Sequence, residues 1–147
     1  MLSRMEVKPE VSELAADLRV VVGRLVRRFR LDGPLPPPQL AALSWIHREG
    51  AKTTSQLAVL ERVRPQSMAH TVAELEGAGL VARTPDPSDG RQQLVALTPA
   101  GGKLIEDYRR QGESWVAAAL ETEFDGAERA ELARGIELLT ELVETAE

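Results

Sequence analysis

The chain has 147 residues, 43% apolar and 28% charged, with a formal net charge of -5; that length and apolar share specify one folded domain, or a domain with a helical extension, with a real core, and exclude disorder as the main reading. There is no cysteine and there are only two histidines, His47 and His70, which excludes a disulfide scaffold, a thiolate metal site, a cysteine nucleophile and a cysteine redox sensor. Residues 1–99 carry 13 Lys/Arg against 11 Asp/Glu, and residues 100–147 carry 5 against 12, so an acidic C-terminal part masks a slightly basic remainder.

The first expected element is an amphipathic helix from Val11 to Leu31. Val11, Leu14, Leu18, Val21 or Val22, Leu25 and Phe29 recur at three- and four-residue steps. Arg19, Arg24, Arg27 and Arg28 fall at the remaining positions and read as a solvated face. The stripe has no partner within its own segment, so it must pack on other helices or on another chain. The Gly33-Pro34 pair ends it, and Pro36, Pro37 and Pro38 lead into a second helix, Gln39 to Arg48.

The rhythm then changes twice. Thr53 or Thr54 can cap a short helix, and Thr53 with Gln56 has capping-box spacing. A break at Glu61 to Arg64 precedes Pro65, well placed in the first turn of another helix that runs to about Glu76. Met68, Val72 and Leu75 share its inner face. Gly77-Ala78-Gly79 stops it, and the period drops to two. Leu80 to Arg83 and Gln93 to Leu97 read as a hairpin around a loop at 85–90, with Asp89-Gly90 supplying the residue that tolerates positive φ. Thr98-Pro99 opens a long helix carrying Leu104, Ile105, Tyr108, Trp115, Val116 and Leu120. Asp125 and Glu128 open the last, with Leu132, Ile136, Leu139, Leu142 and Val143 on one side.

The fold class that follows is mainly α with a small β-hairpin wing. Helix, short turn, helix, hairpin is the order of a winged helix-turn-helix, here residues 35–98. The second helix of such a pair fits the major groove, where base edges differ in donor and acceptor pattern. Its outward face is expected to offer Arg64, Gln66, Ser67, His70 and Thr71, all able to hydrogen-bond and all in the first two turns. Arg62, in the turn, reads as a phosphate contact. The net charge counts against a nucleic-acid partner, although binding is made by a local surface and not by an average.

Three stretches carry a resemblance. Leu75-Glu76-x-x-Gly79-Leu80-Val81-x-Arg83, Asp86-Pro87-x-Asp89-x-Arg91 and Leu97-Thr98-x-x-Gly101, with Thr54, Gln56, Leu57 and Ala58 upstream, resemble the MarR family of bacterial transcription regulators. The likeness extends to the flanking helices. It implies a homodimer whose helices in 9–31 and 99–147 interlock, each subunit placing one recognition helix on a palindromic duplex. It implies that Arg91 reaches the minor groove with Asp89 helping to hold it, and it adds Thr54 and Arg83 to the expected DNA contacts. It further implies release from DNA by a small, often aromatic and anionic, ligand; Trp45 and Arg28 are the residues named for that site. One departure is a sparse wing: between Thr84 and Thr98 only Arg91 is basic.

No cofactor or metal is expected, since His47 has no partner in sequence. No nucleophile–base pair, phosphate-binding glycine loop or metal-ligand spacing suggests an enzyme. The N-terminus has acidic residues where a signal peptide needs an apolar run, and no stretch approaches the roughly 20 apolar residues of a membrane span. A cytoplasmic location is expected. The alternatives are a winged-helix protein that binds DNA without sensing a ligand, and one used only for protein contacts.

Overall fold

The computed structural model describes residues 10–30 and 33–145. The expected ends of the first helix region, Pro9 and Leu31, and the N-terminal segment read for a signal peptide up to Pro9 lie outside the described residues. Among the described residues, six helices and three strands follow in the order α1 (Val11–Arg30), α2 (Pro37–Glu49), β1 (Lys52–Thr53), α3 (Thr54–Glu61), α4 (Pro65–Gly77), β2 (Val81–Pro85), β3 (Gln93–Leu97), α5 (Pro99–Glu123) and α6 (Gly126–Thr145). The chain divides into two compact units, one ending at Ile105 and the other spanning Glu106–Glu147.

Local chemistry sets the boundaries in the first unit. Pro37 and Pro38 open α2, where the missing N–H groups cost nothing. Thr53 caps α3 with a full capping box: its hydroxyl accepts the Gln56 N–H at 3.1 Å, and the Gln56 side chain accepts the Thr53 N–H at 2.9 Å. Pro65 begins α4, and Gly79, at φ 73°, carries the chain out of it. Leu40, Leu43 and Ile46 from α2, Leu57 from α3 and Met68, Val72 and Leu75 from α4 are buried together with Val81, Val95 and Ile105. Fully burying each large aliphatic side chain contributes roughly 1.5–3 kcal/mol.

The sheet is antiparallel with β3 in the centre. Arg83 stands opposite Val95, and Pro85, on an edge strand, opposite Gln93. Lys52 pairs with Val95 and Thr53 with Leu94, so the wing has a third strand that the sequence pattern did not announce. A second correction concerns Gly90. Positive φ occurs among the described residues at Gly50, Gly79 and Arg62, not at Gly90. The wing turn is closed by the backbone, with the Asp86 N–H on the Gln92 carbonyl at 2.9 Å and the Gln92 N–H on the Asp89 carbonyl at 3.0 Å, and is held further by side chains. Asp86 accepts the Ser88 N–H at 2.9 Å and its hydroxyl at 2.8 Å, while Asp89 accepts the Arg91 N–H at 3.1 Å.

In the second unit, α6 begins with a reciprocal cap. The Asp125 carboxylate accepts the Glu128 N–H at 2.8 Å, and the Glu128 carboxylate accepts the Asp125 N–H at 2.9 Å. Leu132, Ile136, Leu139 and Val143 lie on α6 and are exposed. Val11, Leu14, Val21, Leu25 and Phe29 of α1 are exposed as well.

Candidate nucleic-acid interface

The turn between α3 and α4 is the sharpest backbone feature of the helix pair. Arg62 ends α3 in the left-handed region at φ 56° and ψ 43°, where its N–H donates to the carbonyls of Ala58 and Val59. Glycine is the usual residue there, because a Cβ is strained in that conformation. Arg64 then adopts an extended backbone as the N-cap of α4. Both arginines are exposed. Thr54, half-buried, is the first residue of α3.

Gln66, Ser67 and His70 are exposed on the first two turns of α4, as the sequence pattern requires. Thr71 is not. It is 7% exposed, and its hydroxyl donates to the Ser67 carbonyl at 3.1 Å. Its place in the order Met68, Thr71, Val72, Leu75, all buried, is the inner stripe of a helix. Thr71 is therefore withdrawn from the outward face. The helical period carried that signal, and the polar side chain hid it.

Two contacts tie α4 to its neighbours. The Glu74 carboxylate accepts the Gln39 side-chain N–H from α2 at 3.1 Å through one oxygen, and its other oxygen lies 3.4 Å from His70 Nε2. Glu76, at the end of α4, accepts Arg83 Nε–H from β2 at 3.2 Å. Arg83 is thus placed at the root of the wing with part of its charge already met. Sequence reasoning did not pair Glu74 with His70, although their four-residue spacing was legible. A groove of about 400 Å³ runs between the prolines that open α2 and one flank of α4, with Glu61, Ser67, Thr71, His70 and Glu74 among its walls.

The wing carries Arg91 in an exposed position. Its link to Asp89 is through the main chain, so the carboxylate shapes the turn that presents the guanidinium. Asp86, held by the Ser88 N–H and then by its hydroxyl, has its carboxyl below the ordinary value of 3.8. Trp45, on α2, donates its indole N–H to Glu61 at 2.8 Å, and the Arg48 guanidinium lies 4.3 Å from its ring centre. Arg28 is an exposed residue of α1.

Among the described residues no group of His, Asp and Glu could hold a metal ion, and no helix is long and apolar enough to cross a membrane. A MarR family model matches residues 35–92. An HTH-type transcriptional regulator of Mycobacterium tuberculosis is 40% identical over 136 residues, covering 90% of this chain and 94% of the relative. A MarR family protein from Bacillus stearothermophilus superimposes with a TM-score of 0.80 at 27% identity, covering 91% of this chain and 95% of that one. BpsR of Bordetella bronchiseptica, whose DNA binding is regulated by 6-hydroxynicotinic acid, shares the fold with a TM-score of 0.63 at 23% identity, over 87% of this chain and 98% of its own.

Proposed function

The chain belongs to the MarR family, and on that premise we propose that it works as a homodimer that reads a palindromic DNA site and represses until a small molecule releases it. Membership makes it a DNA-binding transcriptional regulator and not an enzyme. The finer reading rests first on α4. Three hydrogen-bonding side chains, Gln66, Ser67 and His70, stand exposed on its first two turns, and that end of a recognition helix meets base edges. Arg64, at the N-cap, extends that face and Arg62, in the turn before it, meets phosphate, while Thr54, Arg83, Asp89 and Arg91 form the remainder of the proposed contact surface.

The exposed apolar residues of α1 and α6 support the homodimer. Leucine, isoleucine, valine and phenylalanine in such number on two helices leave apolar surface that a second copy would cover. Two-fold symmetry then asks for half-sites about one helical turn, roughly 10 bp, apart. Ligand release is supported by the regulation of BpsR, and Trp45 with Arg28 remains the proposed contact pair for a small anionic effector. We place the protein in the cytoplasm, where its DNA is.

Selection of genomic fragments by the purified protein at moderate salt tests this reading. The expected result is a palindrome with half-sites about 10 bp apart. A folded dimer that enriches no motif would refute sequence-specific binding by the free protein. A thermal-shift screen of small aromatic acids addresses the effector, because a ligand that binds the native state raises its stability by mass action.

A further inference from the structure

We propose that Glu74 is a positioning residue that decides which nitrogen of His70 meets a base edge, and that the pair thereby selects a base carrying an exocyclic amino group. This rests on the DNA-reading role proposed above. Three observations carry it. The His70 side chain is 76% exposed on the reading side of α4. Its Nε2 faces Glu74 Oε1 at 3.4 Å. The other oxygen of that carboxylate accepts the Gln39 amide from α2 at 3.1 Å, so the carboxylate beside His70 is also engaged from a second helix.

The consequence is a matter of proton placement. A neutral imidazole has one N–H and one bare nitrogen, and an ionised carboxylate can only accept. Glu74 therefore favours the proton on Nε2 and leaves the lone pair on Nδ1. A lone pair in the major groove accepts from adenine N6 or cytosine N4. Guanine O6 and N7 and thymine O4 are themselves acceptors and give it nothing. Glu74 touches no base in this scheme; it acts through the ring. Its neighbour Glu76 has a different task, holding Arg83 of the wing.

The test compares wild type, Glu74→Gln, Glu74→Leu, His70→Ala and the double variant His70→Ala/Glu74→Gln in the same fragment selection, at a pH near 8. Long-range 1H–15N spectra of the His70 ring are recorded for the first three without DNA. Wild type is expected to hold its proton on Nε2 and to prefer A or C at one position of each half-site. Both Glu74 variants are expected to shift the ring's tautomer balance and relax that one preference about fivefold, the size of one hydrogen bond. The double variant is expected to match His70→Ala alone. A wild-type ring protonated on Nδ1 overturns the proposal. So does an unchanged preference in both Glu74 variants, or in His70→Ala, while wild type still enriches its motif. Wild type enriching no motif overturns the DNA-reading premise, and the proposal with it.

Discussion

A methyl group on residue 101 would overlap the carbonyl oxygen of Leu80: Gly101, in the first turn of α5, lies against the backbone just before β2. The same carbonyl accepts the Thr98 N–H at 3.1 Å, and the Thr98 hydroxyl donates to Gly79 at 2.6 Å. Neither side can retreat without breaking these bonds. Gly101→Ala is therefore expected to cost about 1–3 kcal/mol, as overpacking does. Urea denaturation measures it, and an unchanged midpoint would show that the segment yields more freely than its hydrogen bonds suggest.

Arg62 offers a separation of stability from binding. Its left-handed backbone costs roughly 1–2 kcal/mol for a residue with a Cβ. Glycine would relieve that strain and forfeit about 0.5–1 kcal/mol of chain entropy. The strain relieved exceeds the entropy lost by about 0.5–1 kcal/mol, so Arg62→Gly should fold at least as stably as wild type. DNA affinity should fall evenly across sequences, and the salt slope of binding should shrink by about one, the mark of a lost phosphate contact. An unaltered salt slope in a normally folded variant would remove Arg62 from the interface.

How much of this was legible in the sequence follows from what is local. The Thr53–Gln56 box, Pro65 at the start of α4 and the Asp125–Glu128 cap each act over three or four residues, and the structure has all of them. β1 spans two residues, too few for a period, and exists because β3 offers Val95 and Leu94 to pair with. Asp89-Gly90 promised a left-handed glycine, yet Asp86 and Asp89 help hold the loop through their carboxylates, and the left-handed glycines among the described residues are Gly50 and Gly79, with Arg62 the one non-glycine. Thr71 was misplaced because a hydroxyl looks polar in sequence. In a helix it can satisfy itself on the carbonyl four residues back and bury its methyl.

In the wing, Arg91→Ala is expected to weaken specific DNA binding by about 1–3 kcal/mol at fixed salt. Asp89→Ala should weaken it less. It removes the acceptor of the Arg91 N–H and so loosens the turn without deleting the charge. Equal losses in a titration of the two variants against one operator would instead give Asp89 a contact of its own.

Asp86 gives the wing a pH dependence whose sign is fixed. The Ser88 N–H and hydroxyl favour its ionised form and lower its carboxyl from the ordinary value of 3.8. A group depressed on folding lends stability that is present above its unfolded value and lost as pH falls through the folded one. The Ser88 amide resonance should therefore hold its position at mildly acidic pH and move only below the ordinary aspartate range. A midpoint at or above that range would mean that the turn does not hold the carboxylate in solution.

The exposed side of α6 tests the dimer directly. Ile136 is 56% exposed in the single chain, on a stripe with Leu132, Leu139 and Val143. A charge at a position so open to water costs an isolated subunit little. The same charge buried against a second copy would lack a partner and cost several kcal/mol. Ile136→Glu is therefore expected to leave the helical circular-dichroism signal intact, to shift the light-scattering mass from dimer to monomer, and to abolish binding to a palindrome. A variant that still scatters as a dimer and binds with wild-type affinity would place the subunit contact elsewhere, and the exposed stripe of α1 would be the next surface to charge.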